Sequence, residues 1–488
     1  MKVLHRGRLS VVMIALMFAA ELVSTAPGSG TADDGGGAVR GRLFYVTHAL
    51  SHDIAAFRLG QDSSPKRVGD LVTTGDGSGP ASILFAPDGG TAYVANRTVR
   101  EIAAYRVGPA GELTLLATEP TGGTTPFSLA ITPDGTSLFT ANLLSGTVTA
   151  FTINADGTLK RAGDPVPTGF PLPRGLGVSP DGRFLYVGHG MPTLPGPDAI
   201  VRFAIKQDGT LRRAGRPVPT SPSAAGMVFT PDGRYLYAAT QFEAKVDGFR
   251  VGKNGDLTPV PGSPFDTLTN AEGAAIAPDG RHLFIASPGD QDNPDVDPGG
   301  VSVYAINGDG SLTEVTGSPL IAGQGPVGID TTPDGRRLLV AGSPGPGRLS
   351  TFSIGSDGRL DPITNPAIPT GGTAPRFQSL AVLPNQGPLA ALTVQARGAG
   401  QAIRFDASIA SDPDGRIARF DWDFGDGTIL RDGGPVPTHT YRRPGRFTAT
   451  VTVTDDENCS TALVFTGTTV HCNGSARARA SHTVIARL

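Results

Sequence analysis

Cysteine, tryptophan and methionine are scarce: the 488-residue chain has two, one and five of them, and aromatic residues make up only 6%. Two cysteines are too few for a disulfide-dense scaffold and cannot alone complete a thiolate metal site. Charge of one sign is also lacking. A formal net charge of −3 leaves no basic excess for a nucleic-acid partner, and none is expected. Serine and cysteine nucleophile motifs, a Walker loop and an HExxH helix are missing, which removes those reaction classes. No cofactor is expected.

Long apolar runs are missing apart from Leu9 to Ala20. Lys2, Arg6 and Arg8 precede this run, and the small residues Ser24-Thr25-Ala26 follow it, so residues 1–26 are expected to be a secretory signal, with an uncleaved anchor as the alternative. The run is too short to read as a membrane span. A flexible linker is expected over 27–38, with no membrane span after signal removal. The expected location is secreted, extracellular or cell-envelope. Cys459 and Cys472 are then expected to form a disulfide, closing a loop of about 14 residues worth roughly 3 kcal/mol in the loop-entropy account; a metal pair is the alternative.

Glycine and proline are abundant, at 67 and 42 residues. Pro-Asp-Gly recurs at 87–89, 133–135, 180–182, 231–233, 278–280 and 333–335. The interval of about 46 to 55 residues is that of a propeller or solenoid unit. Proline presets φ and glycine accepts positive φ, so each copy reads as a tight turn between antiparallel strands. A second turn also repeats, at Ala155-Asp156-Gly157, Gln207-Asp208-Gly209, Lys253-Asn254-Gly255, Gly308-Asp309-Gly310 and Ser356-Asp357-Gly358. Each unit therefore reads as four strands, the blade of a β-propeller. Seven second strands are countable. The first, from Leu43, has no first strand before it, and the spare strand lies at the far end, over Arg376–Leu383. Pairing the two closes a ring and removes its open edges. The expected fold class is all-β: a seven-bladed β-propeller over 39–385, followed by an immunoglobulin-like β-sandwich over 388–488.

Strand alternation puts both repeated turns on one face of the disc. The opposite face carries the blade crossings and the second-to-third-strand loops, and there the sequence varies. At its inner-strand positions stand Arg174, Glu272 and Arg376, against Ala81, Phe127, Ala224 and Val327; His48, Asn96, Asn142 and His189 end second strands. Two arginines can fork around a carboxylate or phosphate. His48 or His189 can act as general base toward water attacking a lactone carbonyl. Arg174, Glu272, Arg376, Asn96 and Asn142 are thus candidate ligand contacts, and His48 and His189 candidate catalytic groups. An insertion in the sixth blade carries Asp290, Asp292, Asp295 and Asp297, which suit calcium or a solvated loop.

The stretch Pro-Arg-Gly-Leu-Gly-Val-Ser-Pro-Asp-Gly-Arg-Phe-Leu-Tyr-Val (173–187), followed by Gln-Asp-Gly-Thr-Leu (207–211), resembles the bacterial lactonase family of seven-bladed propellers. That resemblance implies hydrolysis of sugar-acid lactones. Members with the activity tend to show Pro-Arg-His and Asn-Glu; here Arg174 and Arg376 match the arginine, Gly175 and Phe377 stand where histidine would, and Asn96 is followed by Arg97. Trp422-Asp423-Phe424-Gly425-Asp426-Gly427, with Phe405-Asp406-Ala407-Ser408, His439-Thr440-Tyr441 and the alternating run 447–455, resembles a PKD domain. This resemblance implies a sandwich that serves as spacer or as a contact for extracellular protein or glycan. Trp422 reads as core or as a sugar platform; Asp412, Asp414, Asp423 and Asp426 read as turn formers or calcium ligands.

Two functions follow. One is a secreted binding or scaffold protein that recognises a small anionic or carbohydrate-type ligand, or a protein, on the open propeller face. The other is a metal-independent lactone hydrolase.

Overall fold

The Pro-Asp-Gly turns owe their shape to two local devices. Glycine takes a left-handed φ in every copy, from +68° to +72°. The aspartate accepts the amide two residues on, as at Asp134–Thr136 (3.1 Å), Asp181–Arg183 (3.1 Å) and Asp334–Arg336 (2.9 Å). The turns also touch around the ring: a Cβ placed on Gly182 would lie 3.6 Å from Pro133, and one on Gly233 the same distance from Pro180.

The computed structural model describes residues 41–60, 62–190, 198–290, 293, 297–322, 325–343, 345–395 and 401–486. The expected signal and linker lie outside the described residues, as do Asp292 and Asp295. Seven antiparallel sheets form the blades among the described residues. Blade 1 holds Leu43–His48, Asp53–Leu59 and Pro65–Thr73; blades 2 to 7 begin with inner strands Pro80–Phe85, Pro126–Ile131, Pro173–Val178, Ala224–Phe229, Gly273–Ile276 and Pro326–Thr331. The ring closes by antiparallel pairing of Leu380–Val382 with Leu43–His48, Val46 facing Leu380. This closing strand is shorter than the expected 376–383. Residues 376–379 turn instead, with the Ser379 amide on the Arg376 carbonyl (3.0 Å) and Gln378 at a φ of +56°.

Tyrosines staple neighbouring blades. The hydroxyls of Tyr45, Tyr93, Tyr186 and Tyr237 donate to the carbonyls of Gly111, Gly157, Gly255 and Gly310, each in the third-to-fourth-strand turn of the next blade. Four buried phenols thus find acceptors while their rings fill the interblade core.

The C-terminal domain packs Phe405, Trp422, Phe424, Tyr441, Val451 and Val453 into a separate core. Trp422 is 1% exposed, and its indole N–H donates to the Gly434 carbonyl at 3.0 Å, so it is a core residue. This domain does not hang free. Arg42 pairs with Asp414 (2.7 Å) and Glu457, and Asn385 donates to Asp455 (3.0 Å).

A hairpin of Leu463–Phe465 and Val470–Asn473, tied at its base by the Cys459–Cys472 disulfide, enters the propeller channel. Its tip carbonyls accept amides from two innermost strands: Val178 to Gly467 (3.0 Å) and Phe229 to Thr466 (2.9 Å). Phe465 and Val470 join the same core as Leu129, Ile131 and Leu176. Val178 and Phe229 lie just before Pro-Asp-Gly turns, so the hairpin stoppers the channel from the short-looped face. Deeper in, Gln378 crosses the channel: its Oε1 accepts the Leu129 amide (3.1 Å), and its carbonyl accepts that of Ile83 (3.0 Å). A cavity of about 40 Å³ remains, lined by Ile83, Met227, Val327, Asp330, Gln378 and Thr466 among others. The open face therefore ends in a blind mouth.

Candidate functional site

Arg174 begins the inner strand of blade 4 and is only 4% exposed. Its Nη1 donates to Gln241 Oε1 at 2.5 Å and its Nη2 to Glu272 Oε1 at 3.3 Å; Gln241 Nε2 donates to the same carboxylate oxygen at 2.5 Å. The guanidinium lies 5.3 Å over the Phe127 ring, which stacks on Phe377 at 5.9 Å. Burial pushes Arg174 below its ordinary value, and the charge of Glu272 pulls it back. Arg174 keeps one buried group, Nε, without a partner among the described residues. The set comes from three blades: Gln241 follows the second strand of blade 5, and Glu272 is fixed on the crossing into blade 6 by its amide on the Ala286 carbonyl (3.0 Å). An aromatic-backed cation, a carboxylate and an amide can together hold a polar or anionic small molecule.

Arg376 stands on the turn just before Phe377, and its positive charge bears on Arg97. Arg97 follows the second strand of blade 2 and is half-buried. Among the described residues, neither arginine has an acid partner.

The structure corrects the placement expected for four residues. His48, Asn96, Asn142 and His189 are all 0% exposed. His48 has both nitrogens engaged, Nδ1 with Asp53 Oδ1 (2.6 Å) and Nε2 with Thr370 Oγ1 of the neighbouring blade (2.7 Å). His189 Nδ1 meets the Ala199 carbonyl (3.2 Å), its ring packs on Phe170, and burial holds its pKa near 4. Asn142 Nδ2 donates to Thr147 and Thr149 hydroxyls, while Asn96 has no partner for its amide among the described residues. The reason is steric and periodic. Each ends a second strand, and the preceding crossing packs onto such positions: a Cβ on Gly372 would come within 2.3 Å of His48, and one on Gly123 within 2.3 Å of Asn142. These side chains seal the seams between blades. Among the described residues, no hydrogen bond or ion pair joins either imidazole to Arg174, Glu272 or Arg376.

In the blade 6 insertion, the Asp290 amide bonds the Asp297 carbonyl (3.0 Å), and Asp297 also accepts from Thr269. In the C-terminal domain Asp423 and Asp426 accept the Gly425 and Thr428 amides (2.9 and 3.0 Å), as turn formers do, and Asp414 pairs with Arg42. Asp412, pushed to about 7 by burial and then by Asp414, Asp455 and Asp456, has no hydrogen-bond partner among the described residues. Among the described residues, no three His, Cys, Asp or Glu side chains gather as a metal site.

Gln241, Arg97 and the Phe127–Phe377 stack were not among the contacts expected from the sequence. Gln241 and Arg97 each follow a second strand, so repeat position marked them; the stack depends on the 376–379 turn, which nothing in the repeat announces.

The family profile described as "Lactonase, 7-bladed beta-propeller" matches residues 22–173 and 174–264, and the PKD domain profile matches 385–470. The propeller belongs to the lactonase family, and the C-terminal segment is a PKD domain. The solved structure of the periplasmic gluconolactonase of Pseudomonas aeruginosa is similar, with a TM-score of 0.58 and 22% identity over 70% of this chain and 99% of that one. A candidate 6-phosphogluconolactonase of Bacteroides fragilis matches with a TM-score of 0.58 and 21% identity over 72% of this chain and 99% of that one. At such identities the likeness carries the fold. A microbial collagenase of Vibrio alginolyticus is 34% identical over 83 residues, 17% of this lactonase-family chain and 10% of the collagenase, so the chain spans a tenth of that relative's length.

Proposed function

We propose that the protein is an exported binding protein whose open propeller mouth takes a small sugar-acid or lactone-type ligand, with the PKD domain as its contact to extracellular protein or glycan. The observation that carries the reading is the Arg174–Gln241–Glu272 set, pre-organised under Phe127 at a blind mouth, while both histidines are sealed in the blade seams. A guanidinium already held in place loses little freedom on binding, which favours affinity. Export is supported by the PKD domain and by the disulfide, which persists in oxidising compartments. Among the described residues, no helix is long and apolar enough to cross a membrane.

Lactone hydrolysis is the second reading, favoured by the family and by one geometric detail. Glu272 serves Arg174 and Gln241 through Oε1, and its Oε2 has no hydrogen bond among the described residues. That oxygen can take a proton from water as the water adds to the lactone carbonyl; Arg174 then faces the developing oxyanion, and the proton passes to the ring oxygen as the C–O bond breaks.

Calorimetry with gluconate and glucono-δ-lactone, beside a pH-release assay on a lactone panel, tests both. Saturable binding that Arg174→Ala abolishes is the expected result, and equal binding by that variant overturns it. Turnover that disappears in Glu272→Gln establishes the hydrolase instead.

A further inference from the structure

The seam between blades 4 and 5 departs from the repeat at one place. In six blades the third residue of the second strand faces a small or uncharged residue of the third strand: Ala56, Ala104, Ala150, Gly248, Val303 and Thr351. In blade 4 the residue there, opposite Tyr186, is Arg202. Its side chain is only 11% exposed. The neighbouring outer strand, Leu211–Pro219, makes room for it. Gly215 sits in a break of register at a φ of +71°, and a Cβ there would lie 2.5 Å from Arg202 Nη2.

Arg202 reaches the turn of the next blade, where its Nη2 donates to Asp256 at 2.7 Å. Its guanidinium lies 5.1 Å from the centre of the Phe184 ring, and that of Arg183 lies 5.2 Å from the same centre. Arg183 is tied to the same turn by a bond from its Nη2 to the Lys253 carbonyl (2.9 Å). Asp256 is well exposed, and Arg202 Nε and Nη1 are buried with no hydrogen-bond partner among the described residues. The burial of this guanidinium is therefore only partly compensated.

Two pockets flank the stack and meet at Gly255. One, of about 390 Å³ at the rim of the disc, is lined by Tyr186, Arg202, Arg216 and Asp256 among others. The other, of about 440 Å³ on the short-looped face, is lined by Arg183, Arg234, Asp232 and Lys253 among others. Both have the size of small-molecule sites, roughly 300–1,000 Å³. Across the two linings five arginine and lysine residues stand against three aspartates, in a chain whose net charge is −3. Asp181, Asp232 and Asp256 are already paired with Arg183, Arg234 and Arg202. Arg216 and Lys253 are exposed, and neither side chain has an acid partner among the described residues.

We propose that this groove binds an acidic polysaccharide strand, with successive carboxylate or sulfate groups against Arg202 and Arg216 at the rim and Lys253 on the short-looped face. The site is separate from the channel mouth, which opens on the opposite face. Two pockets joined end to end suit a chain of repeated units rather than a single ion. The Phe184 ring is taken up by two guanidinium groups, which leaves no free aromatic face for a nucleic-acid base. Among the described residues, no exposed large apolar side chain lines either pocket, so the groove lacks the anchors that peptides use. Charge-assisted contacts from guanidinium and ammonium groups to oxyanions remain as the means of recognition.

The test is calorimetry of the full-length protein with hexagalacturonate, dextran sulfate, neutral dextran, inorganic sulfate, hexaglutamate and a single-stranded DNA hexamer. Wild type is expected to bind hexagalacturonate or dextran sulfate, less tightly as salt is added, and not to bind neutral dextran. Arg202→Ala is expected to stay folded, since alanine holds that place in blades 1 to 3, and to lose about tenfold in affinity. The exposed changes Arg216→Gln and Lys253→Gln are expected to lose about threefold each. Variants that all bind as wild type does overturn the groove, as does wild type that binds neither acidic glycan. Inorganic sulfate bound as tightly as the glycans overturns the chain-long site. Tighter binding of hexaglutamate or of DNA overturns the glycan assignment. Arg174→Ala, altered at the mouth, is expected to bind the acidic glycans as wild type does; loss of binding in that variant places them at the mouth and overturns the groove.

Discussion

The Val178 amide donates to the Gly467 carbonyl at 3.0 Å, joining the innermost strand of blade 4 to a hairpin of the PKD domain. Inner strands of a propeller leave one edge facing the channel, and unpaired amides there are costly unless water or protein reaches them. Thr466 and Gly467 meet that need for blades 4 and 5, while Gln378 meets it for blades 2 and 3. The hairpin of the PKD domain is therefore part of the propeller's core, while the rest of the domain keeps a core of its own.

Gly467 is the most exacting residue of this stopper. Its φ is +104°, and a Cβ would lie 2.9 Å from the Phe229 ring. Gly467→Val combines backbone strain with a clash and is expected to cost about 2–4 kcal/mol. Thermal melting combined with limited proteolysis checks this: the variant is expected to melt lower and to be cut within 463–473. A variant as stable and as resistant as wild type would show that the tip is not seated.

The disulfide acts on the same hairpin. Cys459 and Cys472 are 13 residues apart, and closing such a loop is worth roughly 3 kcal/mol. Because the hairpin reaches the propeller, its loss is expected to be felt beyond the PKD domain. The double variant Cys459→Ser/Cys472→Ser is expected to lower propeller stability, read by amide hydrogen exchange at Val178 and Phe229. Exchange that speeds up only within the PKD domain would limit the disulfide's reach to that domain.

The ring itself was legible in the sequence because its signals are local. Pro-Asp-Gly needs only its own aspartate and glycine to turn, and seven second strands from Leu43 to Gly342 were countable from alternation. The site was less legible, because rotational repetition tells which end of a strand a residue occupies but not whether it faces the axis or the seam. His48 and Arg174 both lie at the open ends of strands; one is an inner strand and the other is not, and the crossing glycine at 372 turns the first into a buried seam residue. The hairpin was hidden for a different reason. Its partners Val178 and Phe229 are more than 230 residues away along the chain, and backbone-to-backbone bonds leave no side-chain signature.

His189 gives the fold a definable acid sensitivity. Its folded-state pKa of about 4 lies below the ordinary value of 6.5, so the unfolded chain takes up a proton first as pH falls. The stabilisation is complete above about pH 6.5 and is lost progressively toward pH 4, with a ceiling of about 3 kcal/mol. His471, buried in the stopper with a pKa near 4, adds to the same trend. Asparagine occupies the equivalent position in blades 2 and 3, so His189→Asn is the apt replacement. The fall in Tm between pH 7.5 and pH 4.5 is expected to be smaller in the variant; an identical fall would mean that His189 is already charged in the folded protein.

His48 distinguishes a seam residue from a catalytic base. Its two ring nitrogens bridge Asp53 and Thr370, tying the first blade to the last where the ring closes. Removing one buried partner strands the others, at about 1–3 kcal/mol. His48→Asn keeps polarity and the seam's general shape but cannot span both partners, so it is expected to melt lower than wild type while binding gluconate with unchanged stoichiometry. Should the lactone panel reveal turnover, the variant's kcat at a temperature well below its melting point is expected to match wild type, since the imidazole is bonded away from the mouth. A kcat that collapses in this folded variant would make His48 a participant in the chemistry and would require Asp53 or Thr370 to release it on ligand binding.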